Sequence, residues 1–259
     1  MQLKGKTIAV FAATGAVGEQ VAASFAANGA NVYVSGRRLD AAQALAERIK
    51  RAGGRAEAAQ VDAMDEGEIE RHLSEIVAQD GKLDVVFNAI GIRAEDGEYG
   101  VPATELPFER FMLPITQHLG SQFLTSRAAA RHMTARGSGV ILLLSASLSA
   151  SARPFMSGVT AGCAALESLT RSLAAEVSPA GVRVLCLRAG AMVTTRTIQE
   201  TMVRNARAAG MPLEAFAAMI SQSSLMKRAV TLAEVGNVAA LLVSDATSGM
   251  TGETISVMC

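Results

Sequence analysis

The chain has 259 residues, half of them apolar, and its 24 basic and 24 acidic side chains cancel. That length and apolar fraction suit one large domain with a sizeable core and exclude a disordered chain. The even charge balance speaks against a nucleic-acid surface or a basic membrane patch.

In chain order, β-type apolar runs alternate with Ala-rich helical segments. The runs are TIAVFAA (7–13), NVYVSG (31–36), AEAAQVD (56–62), LDVVFNAI (83–90), GVILLLSA (139–146), VRVLCLRA (182–189) and TISVM (254–258). Most are continuously apolar, which predicts strands covered by helices on both faces. Helices are expected over 16–27, 40–52, 107–136 and 157–179. They stop at Asn28-Gly29, Gly53-Gly54, RGSG and SPAG. The alternation predicts an α/β fold: a doubly wound parallel sheet of about seven strands, in a single domain spanning 1–259. Residues 191–230 are helical but fall outside the alternation, and are expected as an insertion on the substrate side.

The first apolar run is of strand length and leads into a glycine turn, so it reads as a strand and not a signal segment. No run approaches the roughly 18 residues of a membrane span. Cys163, Cys186 and Cys259 form no CxxC or metal-like spacing. A reducing cytoplasm and no metal are expected.

The turn in VFAATGAVGEQVA (10–22) joins the first strand to the first helix. Its small residues would let backbone N–H groups approach a pyrophosphate at a helix N-terminus. Ala12, Thr14, Gly15, Val17 and Gly18 are the candidates. The second strand ends in SGRR (35–38), with Gly36 where an acid would bind the adenosine ribose. Arg37 and Arg38 can pair with a 2′-phosphate, so NADP(H) is expected in preference to NAD(H).

Together, FAATGAVG (11–18), Asp62-Ala63 after the third strand, NAIG (88–91), AG (189–190) and RAVTLAEVGNVAALLVSDATSGMTGETISV (228–257) resemble the short-chain dehydrogenase/reductase family. The resemblance covers nearly the whole chain and implies a Rossmann-type fold. In the glycine motif Phe11, Ala12 and Ala16 replace the threonine and first two glycines, and Gly18 is kept. The resemblance places Asp62 near the adenine amine and Thr194 near the nicotinamide amide. It adds Ala63, Asn88, Ala89, Gly91 and Gly190 to the cofactor-binding set.

The resemblance also implies a tyrosine acid/base, a lysine four residues later that lowers its pKa, a serine and an asparagine. Aligning CAALESLTRSLAAE (163–176) puts Val159 at the tyrosine and Cys163 at the lysine. No shift restores the pair. The two tyrosines, Tyr33 and Tyr99, have Arg37 and Ala103 four residues on, and no lysine lies between Lys82 and Lys227. The serine position falls at Ala146 or Ser147, and the asparagine position at Gln117. Ser147 and Gln117 are thus the catalytic candidates. Acidic neighbours in AEDGEYG are expected to raise the pKa of Tyr99. His118 is expected about 100° around the helix from Gln117, on the surface or packed against another element. Cys163 is expected as a core or helix-contact residue. Arg153 is either an anion-binding group or solvent-exposed.

Three functions follow. One is an NADP(H)-dependent oxidoreductase acting on a small molecule without the usual tyrosine and lysine. The second is a catalytically silent NADP(H)-binding sensor or a subunit of a hetero-oligomer. The third is a non-redox enzyme reusing the pocket. The small-residue helices at 120–136 and 157–178 would suit a homodimer or homotetramer, with no nucleic-acid or membrane partner.

Overall fold

The computed structural model describes residues 1–259 except Arg93, Glu95, Glu98 and Ala152. Its strands are β1 (Thr7–Phe11), β2 (Asn31–Gly36), β3 (Arg55–Gln60), β4 (Val85–Asn88), β5 (Gly139–Ala146), β6 (Val182–Ala189) and β7 (Thr254–Val257). They form one parallel sheet in the order β3-β2-β1-β4-β5-β6-β7. This is the doubly wound arrangement expected from the continuous apolar runs.

Four strands are shorter than their apolar runs, β3 and β7 by a single residue and β1 and β4 by more. β1 stops at Phe11 because Ala12 turns to a left-handed φ of 51°. β4 stops at Asn88, whose side-chain oxygen accepts the Ile90 N–H and folds the chain away from the sheet.

The helices are α1 (Ala16–Ala27), α2 (Leu39–Arg51), α3 (Glu66–Asp80), α4 (Phe108–Pro114), α5 (Gly120–Arg136), α6 (Ser157–Val177), α7 (Arg196–Ala208), α8 (Leu213–Ser223) and α9 (Leu232–Leu242). The segment expected as one helix over 107–136 is broken by a π-turn at Ile115–Leu119. Pro114 supplies the cause, since it lacks the N–H that would continue the ladder. Helix α3 lies in a stretch with no apolar run to announce it. Its signals are Asp65, which caps the Glu68 N–H, and Gly81, left-handed at the C-cap.

Alternate strand residues point to opposite faces, so the core has two halves. Val10, Val34, Phe87, Leu142 and Leu187 pack toward α1 and α9, with Phe25 meeting Phe87 edge-on at 6.3 Å. Phe11, Val86, Ile141, Leu143 and Cys186 pack toward α3, α5 and α6. Each fully buried large side chain stabilises by roughly 1.5–3 kcal/mol. Phe87→Ala would cost about 3–5 kcal/mol through lost contacts and the cavity it leaves.

Because all seven strands run in parallel, their C-terminal ends share one edge. The chain order switches between β1 and β4 there, which opens a crevice at that edge. Helices α7 and α8 stand between β6 and β7 in sequence, beside the crevice. Among the described residues no helix is long and apolar enough to cross a membrane.

Candidate functional site

A cleft of about 1040 Å³ runs along this edge, from Arg37 and Arg38 to Phe216 and Ile220 on α8. Its outer arm is made mostly of backbone. Gly15 caps α1 in extended conformation with no side-chain cap. The first-turn N–H groups of α1 therefore face the cleft without an intrahelical acceptor. Gly18 lies outside the lining and acts by its lack of a side chain. A Cβ there would sit 2.6 Å from the Ala12 carbonyl oxygen and 2.8 Å from the Ala13 Cα. Only glycine lets α1 start so close to the turn.

Ala12, Thr14, Gly15 and Val17 line this arm, followed by Gly36 and the exposed Arg37 and Arg38. Asp62 and Ala63 line it on the β3 side, and one Asp62 carboxylate oxygen accepts the Met64 N–H at 3.0 Å. Ala89, Gly91 and Gly190 line its middle, and a Cβ on Gly91 would meet open space. Open space at Gly91, uncapped N–H groups and two exposed guanidinium groups in one continuous arm fit a dinucleotide.

Two cofactor candidates sit differently from the sequence expectation. Asn88 is 1% exposed and does not line the cleft. It holds the turn from beneath, accepting the Ile90 N–H at 2.8 Å and donating to Thr125 at 3.0 Å. Thr194 is exposed and outside the cleft, whereas Thr195 is buried and lines it. Thr195 is the N-cap residue of α7, which turns it inward. The adjacent pair Thr194-Thr195 leaves this register open in the sequence.

At the centre, Ser147 and Gln117 both line the cleft, Ser147 half-buried and Gln117 exposed. Ala146 lines it too but carries no hydroxyl. Ser145 also reaches the lining, but its hydroxyl donates to the Glu167 carboxylate at 3.1 Å. His118 is buried and packed inward, one of the two positions expected for it, and it also forms part of the cleft lining. Its ring lies 3.4 Å from the Gln122 amide, which donates to the Asn88 and Leu144 carbonyls. Burial pushes its pKa down to about 4, against a hydrogen bond with Leu144 that favours the charged form. At neutral pH the ring is therefore uncharged.

The inner end is apolar. Val159 and Cys163 are 3% and 1% exposed and pack with Tyr99, Met156, Ile92 and Ala94. Burial pushes the Cys163 thiol up, which keeps it protonated. The Tyr99 phenol is also pushed up, as expected. Burial dominates and Cys163 adds to it; the flanking Glu95 and Glu98 lie outside the described residues. Arg153 lines the cleft and donates to Ser223 on α8 at 3.3 Å, tying this wall to the roof.

Behind this wall lies a charge pair that residue types alone do not reveal. Glu167 on α6 binds Arg188 on β6, with side chains 10% and 19% exposed. The Nε of Arg188 donates to Glu167 at 2.8 Å, and Ser149 also donates to the same carboxylate. Burial alone would raise the Glu167 pKa, but the Arg188 and serine hydrogen bonds hold it below the usual carboxylate range. The carboxylate thus ties both Ser145 and Ser149, which flank Ser147, to α6. The sequence signal is weak: an acid and an arginine 21 residues apart, one in a helix and one in a strand. Among the described residues no group of three or more His, Cys, Asp or Glu is placed to hold a metal ion.

A family model described as enoyl-(acyl carrier protein) reductase matches residues 12–258. The 7alpha-hydroxysteroid dehydrogenase of Escherichia coli strain K12 is 26% identical over 264 residues, covering 99% of this chain and 94% of that protein. A solved 7 alpha-hydroxysteroid dehydrogenase, complexed with NADH and 7-oxo glycochenodeoxycholic acid, superposes with a TM-score of 0.86 at 25% identity, over 99% of this chain and 94% of the other. NAD+-bound xylitol dehydrogenase shares the fold, with a TM-score of 0.93 at 21% identity over 100% and 99% of the two chains. The family match spans nearly the full length, and the chain belongs to the short-chain dehydrogenase/reductase family.

Proposed function

We propose that this chain is an oxidoreductase that uses NADP(H) in preference to NAD(H) and works without a tyrosine–lysine pair. The observation that carries the reading is the outer arm of the cleft. Gly36 leaves no acid at the end of β2, and Arg37 and Arg38 stand exposed beside it. A guanidinium pairs well with a phosphate and gains nothing from a ribose hydroxyl that lacks one. The two solved relatives hold NAD(H), so the preference rests on these two arginines alone.

A dinucleotide bound in this arm supplies the hydride. The chain's own residues then have limited tasks. The N–H groups at the start of α1 would hold the pyrophosphate, and Gly91, Gly190 and Thr195 would border the nicotinamide end. The Ser147 hydroxyl would donate to a substrate oxygen. Val159 has no proton to give, and the raised Cys163 thiol and neutral His118 are poor acids at neutral pH. The proton would come from water at the exposed Gln117 side. Substrates such as an activated alkene or an iminium suit this arrangement, because they need no strong protein acid.

A second reading is favoured by the inner wall itself. Tyr99 packs into the space beside Val159 and Cys163, which suits a chain that binds NADP(H) without turnover. Mixing the chain and NADPH with a panel of ketones, enones and iminium ions separates the two. The oxidoreductase reading expects NADPH oxidation with the enones or iminium ions, faster than with simple ketones, with Ser147→Ala slowing the enones, whose carbonyl oxygen would accept from Ser147. Tight NADPH binding with no oxidation by any acceptor would replace it with the silent binder.

A further inference from the structure

Helix α7 turns one face into the inner cleft: Ile198, Thr201, Met202 and Asn205, spaced as neighbours on a helix. The rest of that end is apolar, with Met156, Phe216 and Ile220 lining it. Thr201 is already engaged, its hydroxyl donating to the Thr197 carbonyl at 2.8 Å. Asn205 is not. It is 3% exposed, and its side-chain oxygen is buried without a hydrogen-bond partner.

An unsatisfied buried amide oxygen costs about 1–3 kcal/mol, and native structures rarely leave one so. The amide torsion is soft, so oxygen and nitrogen can exchange places at little cost. A ligand group that both gives and accepts a hydrogen bond meets this amide best, and a hydroxyl is the simplest such group. A carboxylate fits less well. It cannot donate, and it would enter a largely apolar room whose lining also holds Asp96 and whose Arg153 bonds Ser223.

We infer that Asn205 is a specificity-determining residue that reads a hydroxyl on an apolar-bodied ligand, at a point separate from the group positioned near Ser147. The inference rests on the reading of the inner cleft as the substrate end. It assigns a substrate class with an alicyclic or aliphatic body and a second, unreacting hydroxyl. A site built to bond that hydroxyl discriminates against the analogue lacking a donor, because the amide is then left unpaired.

The test uses the full chain with 13C-labelled methionine methyl groups, so that Met202 and Met156 report binding. Cyclooctanol and its methyl ether are the probes, and NADPH is titrated into the same samples. One hydrogen bond corresponds to about tenfold in affinity. Cyclooctanol is expected to bind about tenfold more tightly than the ether. In Asn205→Leu, which keeps the number and branching of the side-chain heavy atoms, the two should agree within about twofold. Should that variant not fold, the wild-type chain still decides: the Asn205 side-chain amide signals should shift with cyclooctanol and not with the ether. Equal binding of the probes, an unchanged ratio in the variant, or an unmoved Asn205 amide would overturn the inference. A chain that prefers cyclooctanol but does not bind NADPH would overturn the dinucleotide reading and leave Asn205 its role. A chain that binds NADPH but ignores the hydroxyl would do the reverse.

Discussion

At its outer end the cleft is walled by backbone, held open by glycines and flanked by exposed charge; at its inner end it is walled by packed side chains. Gly15, Gly18 and Gly36 matter for what they lack, and Arg37 and Arg38 stand in solvent. Val159, Cys163 and Tyr99 are instead sealed against one another, with the Glu167–Arg188 pair behind them. On the proposed reading, the fold keeps a dinucleotide cradle at one end while the other end carries different side chains. The cradle depends on backbone geometry, which many sequences satisfy if a few glycines remain. The wall depends on side-chain identity, which one substitution rewrites.

The largest expected effect breaks the inner end. Glu167→Ala takes the carboxylate from the part-buried Arg188, which keeps its bond to Ser256, and frees Ser145 and Ser149. Losing one partner of such a pair costs about 3 kcal/mol, the low end for buried pairs, readable by urea unfolding. The folded pKa of Glu167 is depressed, so its stabilisation is present above the ordinary carboxylate pKa. It is lost as pH falls through the folded value. The variant should therefore lose less stability than the wild type in strong acid, and identical acid curves would contradict the pairing.

Next comes the outer end. Gly18→Val drives a side chain into the Ala12 and Ala13 backbone, which cannot swing aside. A cost of about 3 kcal/mol is expected, with loss of dinucleotide binding in calorimetry. A variant that keeps wild-type NADPH affinity would show that the turn is looser than described.

Near neutral pH a smaller effect comes from two buried histidines, and it is read as a slope with pH. His72, packed edge-on against Phe11, and His118 are both held to a pKa of about 4 by burial. The unfolded chain takes up their protons near pH 6.5 and the folded chain does not. Stability should thus fall as pH drops from about 6.5 to 4, by up to about 1.4 kcal/mol per unit for each histidine. His118→Gln should remove one histidine's share of that slope. An unchanged slope in the pH series of unfolding curves would mean that His118 is protonated in the fold.

The smallest effect lies in the turn after β1. Ala12 holds φ at 51°, which costs a residue with a Cβ about 1 kcal/mol. Ala12→Gly is expected to raise the melting temperature slightly, the gain being limited by the freer unfolded chain. A drop in melting temperature would show that Ala12 makes contacts worth more than its strain.

Much of the fold was legible because continuous apolar runs and glycine stops carry strand and helix information locally. Residues 16–27 matched α1 to the residue for that reason. Helix α3 was not, since its alternating charges hide a narrow apolar stripe of Ile69, Leu73 and Ile76. The outer arm was legible because its motif is contiguous, although Asn88 and Thr194 show the limit. A motif marks a turn but not which of its side chains faces the cleft. The inner end was legible only as a loss, from the missing tyrosine and lysine. Tyr99, Asn205 and the Glu167–Arg188 pair come together through long-range packing, which no local pattern records.

The most direct measurement is a calorimetric titration of NADPH and NADH into the wild-type chain and into Arg37→Ala/Arg38→Ala. The wild-type chain should bind NADPH at least about tenfold more tightly, the equivalent of one hydrogen bond between charged groups. The double variant should lose that preference while still binding NADH. Equal affinities in the wild type, or discrimination that survives the loss of both arginines, would contradict the assignment of the outer arm to a 2′-phosphate.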